Sequence, residues 1–138
     1  MSDCIFCKII SGEIPSATVY ENDECKVILD RFPSNKGHVL ILPKEHVANI
    51  FEIDPALAGR LFTLAAKIAP VMKDTFRFEN MNVLQNNGPV AGQTVSHFHI
   101  HLIPRYENDG VNVSWKQLDL TDSEIEEIRK SLTDNLNL

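Results

Sequence analysis

The sequence predicts an α+β domain built on an antiparallel sheet, and three observations carry that prediction. Residues Ser96 to Pro104 alternate His97, His99 and His101 with Phe98, Ile100 and Leu102. In an extended strand residues two apart share a face, so an imidazole row would be backed by an apolar row. His38 to Pro43 is a nearly continuous apolar run, which fits a strand in the middle of a sheet. Between and after these strands lie two segments with helical apolar spacing, residues 56–76 and 125–136. Strands joined by short loops, with one long helix inserted and another at the end, are the pattern of helices segregated on an antiparallel sheet.

The remaining elements follow in order. Ile5, Phe6, Ile9 and Ile10 form one stripe of a short helix over residues 4–11, ended by Ser11-Gly12. Ile14-Pro15 begins an extended segment, Thr18–Tyr20 is a short strand, and Glu21-Asn22-Asp23 is a turn. Cys25–Leu29 is a strand, and residues 30–37, with Pro33 and Gly37, are a loop. Asp54 is the expected N-cap of the long helix, with Pro55 in its first turn. Pro70 inside that helix predicts a bend rather than a stop, because Val71, Met72 and Phe76 continue the stripe. Residues 82–85 form another strand, and 86–93 a polar, Gly-containing loop leading into the histidine strand. Thr121 and Glu124 form a capping box ahead of Ile125, Ile128, Leu132 and Leu136.

At 138 residues the chain fits a single domain, 1–138, with enough length for a core. A formal net charge of −6 argues against nucleic acid as partner, yet leaves room for one small anion in a locally positive pocket. No apolar stretch approaches the ~18 residues of a membrane span. Ser2-Asp3-Cys4 is not the basic-then-apolar start of a signal peptide, and three cysteines, an odd number, do not make a disulfide framework. A reducing cytoplasm is the expected location.

Three of the five histidines on one strand face are poorly explained as solvent-facing polar residues. Metal ligation and nucleophilic or acid–base catalysis by imidazole both fit. Gly88 and Gly92 in the preceding loop let backbone amides approach an anion, and Asn86, Gln93 and Thr94 add uncharged donors. A phosphate beside the histidine row is the chemistry these residues favour.

The stretch from Gly92 to Pro104, with His-X-His-X-His followed by two apolar residues, resembles the histidine triad (HIT) family of nucleotide-binding hydrolases and transferases. Cys4-Ile5-Phe6-Cys7-Lys8-Ile9-Ile10 with Glu13-Ile14-Pro15, then Asp30, then Gly37 to His46, extend the likeness over residues 4–106, leaving 107–138 as a C-terminal extension with its helix. The likeness is closest to the small bacterial-type members. It implies a homodimer of two-layer α+β subunits, each giving five antiparallel strands to one sheet. It implies hydrolysis of a nucleotide phosphoramidate or nucleotidyl ester, with a purine nucleotide or nucleotide conjugate as ligand. His99 would attack the α-phosphorus and form a nucleotidyl-histidine, with His101 and His38 binding or protonating phosphate oxygens. Asn86, Gln93 and Thr94 would contact the α-phosphate and leaving group, and Asp30 the ribose hydroxyls. Phe6, Ile9, Ile14 and Leu29 would flank the base. Many members carry Ser at the position of Thr94, which keeps the hydroxyl and adds a methyl. No catalytic metal is required for this chemistry. A nucleotide-binding regulatory or scaffold module with little turnover is the alternative reading, and a catalytic zinc on His97, His99 and His101 a third.

Cys4-X-X-Cys7 with His46 and His97 supplies the donors of a tetrahedral zinc site. Buried reduced cysteines and a redox pair are the competing readings. Small bacterial-type relatives often carry such a zinc, so a structural zinc is the expectation. Cys25 is expected to be a plain strand residue, and Trp115 to pack on the sheet or on a dimer partner.

Overall fold

A computed structural model of the chain describes residues 3–138. It contains α1 (Ile5–Ser11), β1 (Thr18–Glu21), β2 (Cys25–Leu29), β3 (Val39–Pro43), α2 (Pro55–Phe76), β4 (Asn80–Leu84), β5 (Ile100–Arg105) and α3 (Asp122–Asn135), with a 3-10 turn at Pro89–Ala91. The strands form one five-stranded antiparallel sheet in the order β1-β2-β3-β5-β4. This is the predicted α+β class.

The sheet separates two apolar clusters, as the period of two requires. On one side Val27, Val39, Ile41, Phe98, Ile100 and Leu102 pack with Leu57, Leu61, Ala65 and Met72 of α2. On the other, Ile28, Leu40 and Leu42 pack with Phe6 and Ile9 of α1. Local signals set the helix ends. The Asp54 side chain accepts the Ala56 amide at the start of α2, and Gly12 closes α1 in the left-handed region at φ 85°. Gly37, at φ 91°, also lets the Phe76 ring approach to where a Cβ would stand 3.0 Å away.

As expected, the helix continues through Pro70, which is exposed, so the hydrogen bond it cannot make is lost on the wet side. Two strand boundaries differ from the sequence expectation. Strand β4 begins at Asn80 rather than Asn82 and ends one residue earlier. The largest difference is in the histidine strand, whose ladder starts at Ile100. The register with β3 runs Val39↔Leu102, Leu40↔His101, Ile41↔Ile100 and then stops. Further toward the start of β5, the chain runs beside Pro43, which has no N–H to donate. Instead the Phe98 amide donates to the Val47 carbonyl at 2.7 Å. His97 and His99 therefore precede the strand, free of ladder pairing, and His97 lies in a bend where its amide donates to the Val95 carbonyl at 2.8 Å. Trp115 is 82 % exposed and does not pack on its own sheet.

Candidate active site and metal centre

Hydrogen bonds assign a tautomer to each histidine that matters. His99 Nδ1 lies 2.7 Å from the His97 carbonyl oxygen. A carbonyl only accepts, so Nδ1 carries the proton and Nε2 keeps its lone pair. The His99 ring is buried, edge-on to Phe6 with centroids 4.9 Å apart and to His101 at 4.7 Å. Burial pushes its pKa down, partly opposed by the bond to the His97 carbonyl, so the neutral ring is favoured.

The second pair is fixed from the backbone outward. The Ser34 amide donates to His38 Nδ1 at 3.0 Å, which makes Nδ1 the acceptor and places the His38 proton on Nε2. That proton faces His101 Nδ1 at 2.9 Å. His101, accepting at Nδ1, holds its own proton on Nε2 in the neutral ring. Burial, reinforced by the neighbouring His99 and His38, pushes His101 down to about 4. Burial likewise lowers His38, with Asp30 opposing it. Asp30 Oδ2 stands 3.6 Å from His38 Nε2, while Oδ1 accepts the Phe32 amide at 2.9 Å. Asp30, His38 and His101 bring three metal-type atoms together. Because His38 Nε2 bears a proton whenever Nδ1 accepts from Ser34, that nitrogen is a donor and not a metal ligand.

His97 faces elsewhere. Its Nε2 donates to the Pro43 carbonyl oxygen at 2.9 Å, leaving the lone pair on Nδ1. Around that atom lie Cys4 Sγ at 3.4 Å, Cys7 Sγ at 3.6 Å and His46 Nδ1 at 3.2 Å, with Cys7 Sγ 3.2 Å from His46 Nδ1. Tetrahedral zinc at ordinary Zn–N and Zn–S distances spaces its ligand atoms about 3.3–3.8 Å apart, so this donor set fits the ion. Cys4 also caps α1 by accepting the Cys7 amide, which ties the helix to the cluster. Burial and the Cys4 thiol push Cys7 up, a direction that a bound cation would reverse. His97, His99 and His101 thus aim at different partners, and among the described residues these three do not form a metal-holding group.

The other predicted residues separate by position. Phe6 and Ile9 are buried on the His99 side of the sheet, with Ile14 packed beside them. Leu29 is not with them: it is 40 % exposed at the end of β2, paired with Val39 of the opposite cluster. Ile28, which sequence reasoning passed over, holds the place among Phe6, Ile9 and Leu40. Its signal was available, since Ile28 shares strand parity with Asp30. Gln93 is buried and committed to the scaffold: Nε2 donates to the Ala48 carbonyl at 2.6 Å and Oε1 accepts the Gly88 amide at 2.8 Å. Asn86 lies beside Gly92, where a Cβ would meet its Nδ2 at 3.4 Å. Thr94 is exposed and lines an open cleft of about 400 Å³ with Asp3, Ile5, His46 and Ser96. Ser34 and Pro43 were also missed. They act through backbone atoms, which residue identity does not reveal.

Comparisons with known proteins identify the family and the fold. A model described as the HIT domain matches residues 11–108. The adenosine 5'-monophosphoramidase hnt1 of Schizosaccharomyces pombe is 36 % identical over 134 residues, spanning 96 % of this chain and 98 % of that protein. A crystal structure of a HIT family member from Bacillus subtilis superimposes with a TM-score of 0.92 at 42 % identity, over 99 % of each chain. A zinc-bound histidine triad family protein from Mycobacterium smegmatis superimposes with a TM-score of 0.75 at 28 % identity, over 96 % of this chain and 95 % of that one. With its HIT domain match, its relatives and its fold in accord, this chain belongs to the HIT family.

Proposed function

We propose that this protein hydrolyses nucleotide phosphoramidates or nucleotidyl esters at the α-phosphate, through a covalent nucleotidyl-histidine on His99. The observation that carries the reading is the His99–His97 carbonyl bond, which leaves Nε2 unprotonated and aimed away from the backbone. Nε2 donates its pair to the α-phosphorus, and the bond from phosphorus to the leaving amine or oxygen breaks. The leaving atom takes its proton from solvent as it departs, while His101 Nε2–H, which the tautomer chain from Ser34 through His38 leaves available, donates a hydrogen bond to a phosphate oxygen. Water then attacks phosphorus, displaces His99, and gives a proton to the site, yielding the nucleoside monophosphate. The substrate phosphate oxygens are anionic, so a neutral nucleophile avoids one charge repulsion.

Support for the nucleotide comes from the site and from relatives. Phe6, Ile9, Ile14 and Ile28 offer an apolar wall for a purine, with Asp30 two residues along the strand for ribose hydroxyls. The S. pombe relative is named as a monophosphoramidase. Asn86 and Thr94 are the proposed contacts to the phosphate and leaving group, with Gln93 acting by holding their loop. A zinc on Cys4, Cys7, His46 and His97 would anchor α1, and with it Phe6, to the sheet. No catalytic metal, a cytoplasmic location and a homodimer complete the proposal. A binding module with little turnover is the reading it competes with.

The test is rapid-quench mass spectrometry with adenosine 5'-phosphoramidate. The chain is expected to gain one adenylyl group on the peptide holding His99, and His99→Ala to lose both adduct and turnover while still binding AMP. Undiminished turnover by His99→Ala overturns the proposal. Tight nucleotide binding by the unaltered protein with no hydrolysis of any conjugate favours the binding module.

A further inference from the structure

The loop between β2 and β3 carries Asp30 and Ser34 and ends at His38. Its backbone bonds close on themselves. The Asp30 amide donates to the His38 carbonyl at 2.9 Å, the His38 amide to the Asn35 carbonyl at 3.1 Å, and the Ser34 amide to His38 Nδ1 at 3.0 Å. Ser34 is exposed, so water competes for its amide unless the loop is held. Among the described residues, residues 31–37 bond to another element through one group, the side-chain amide of Asn35. Its Nδ2 donates to the Pro104 carbonyl of β5 and to Asp109 Oδ2, each at 2.8 Å. Both partners only accept, so nitrogen and not oxygen faces them, and both of its protons are used. Val39↔Leu102 is the last pair of β3 with β5 toward this end, and Asn35 ties the two chains together beyond it.

Asp109 is turned inward to meet Asn35. The residues on either side of it, Asn108 at φ 56° and Gly110 at φ 74°, both lie in the left-handed region. The Asp109 side chain is 6 % exposed. Its carboxylate accepts the Tyr106 and Val111 amides, each at 3.0 Å, and Arg105 Nε at 2.8 Å and Nη2 at 3.1 Å, besides Asn35. Arg105 is fixed in turn, with Nη1 donating to Asn82 Oδ1 at 2.6 Å and Nη2 to the Val111 carbonyl at 2.7 Å. The Arg105 guanidinium holds the Asp109 carboxyl well below the usual carboxylate range, so Asn35 meets an anion. A hydrogen bond to a charged acceptor is stronger than one between neutral groups, and here it acts on the residue next to Ser34. The far end of β5 is thereby connected, through Asp109, Asn35 and the Ser34 amide, to the ring of His38.

We propose that Asn35 and Asp109 are positioning residues, which hold the Ser34 amide on His38 Nδ1 and so keep the His38 proton on Nε2, toward His101. The kinetic consequence rests on the hydrolase reading, and the tautomer does not. Long-range proton–nitrogen correlation NMR at neutral pH reads which nitrogen of each histidine is protonated. It is run on the full chain, on Asn35→Ala, on Asp109→Ala and on the control Lys36→Ala, an exposed neighbour, together with kcat and KM for adenosine 5'-phosphoramidate. Asn35→Ala removes the link and leaves the Arg105–Asp109 pair in place, so it decides the matter even where Asp109→Ala loosens the turn. The unaltered protein and the control are expected to hold the proton on His38 Nε2. In the other two variants His38 and His101 should show averaged nitrogen shifts, while His99, held by the His97 carbonyl, keeps its proton on Nδ1. Their kcat should fall about tenfold with KM within about twofold. An unshifted His38 in Asn35→Ala overturns the proposal, and so does a shift that His99 shares, which marks general loosening. A shifted His38 with undiminished kcat overturns the role in turnover. An unaltered protein that hydrolyses no conjugate overturns the hydrolase reading, and the His38 shifts then decide the positioning role alone.

Discussion

His38 Nε2 and His101 Nδ1 lie 2.9 Å apart, and the Ser34 amide on the far side of His38 decides that the proton between them belongs to His38. A backbone N–H thereby sets the protonation of a side chain two rings away. His38→Ala leaves His101 free to choose either tautomer. The expected result is a fall in kcat of about a hundredfold with KM little changed. His38→Gln, which can still donate toward His101, should recover part of it. Steady-state kinetics on a phosphoramidate substrate check the split, and a loss confined to KM would contradict this role.

The cysteine–histidine cluster predicts a metal effect on stability and not on chemistry. Cys7→Ser or His46→Ala should lower bound zinc from one per chain toward none. Chelation should lower Tm by roughly 10–20 °C if zinc contributes about 4 kcal/mol. At a temperature well below that Tm, the chelated protein should keep its turnover within about twofold. Metal analysis with thermal melts measures the first two, and turnover at 25 °C the third. Immediate loss of turnover in a chelated, still-folded protein would point to catalytic metal.

Acid should weaken the fold through its buried imidazoles. Burial lowers His101 to about 4 and also lowers His38, so the unfolded chain, with histidines near 6.5, binds more protons in between. At pH 7 both states are neutral at these sites and nothing is lost. As pH falls from about 6.5 toward about 4, stability declines, and below that the two states are equally protonated. Denaturant titrations across this window should give a shallower decline for His101→Gln than for the unaltered protein. Equal slopes would contradict the assignment.

Strand parity separates two adjacent residues. Ile28 is 3 % exposed among Phe6, Ile9 and Leu40, whereas Leu29 is 40 % exposed. Ile28→Ala should cost about 2–4 kcal/mol and raise KM for the nucleotide, and Leu29→Ala should cost less than about 1 kcal/mol with KM unchanged. Urea denaturation and kinetics on the two variants are sufficient.

Gln93 bridges Ala48 and Gly88, and Thr94 beside it is exposed. Gln93→Ala should lose about 1–3 kcal/mol, because it leaves the half-buried Gly88 amide and Ala48 carbonyl without these partners. Thr94→Ala should change stability by less than about 0.5 kcal/mol and alter only the dependence on leaving group. Melting curves and kinetics with a series of amine leaving groups distinguish the two.

Much of the site was legible because the period of two is a local rule. The alternation from His97 to Leu102 reports one buried face whatever the strand pairs with, and Phe98, Ile100 and Leu102 are each 0 % exposed. The capping box at Thr121 and the N-cap at Asp54 were legible for the same reason, since each involves residues three or fewer apart. The start of β5 was not. It depends on the absent N–H of Pro43, a residue far away in the chain, so pairing begins at Ile100.

By itself the sequence determined the α+β class, the strand and helix positions to within a few residues, and which side chains are candidates for the chemistry. Those properties come from local periodicity, caps and residue type. Tertiary structure decided which nitrogen of each histidine holds the proton. The His97 carbonyl, the Ser34 amide and the Pro43 carbonyl make that choice, and backbone groups become neighbours only on folding. It also decided that Ile28 and not Leu29 joins Phe6, that Gln93 serves the scaffold, and that α3 is left without a surface in its own chain. Burial is a property of the whole packed molecule, and no local pattern contains it.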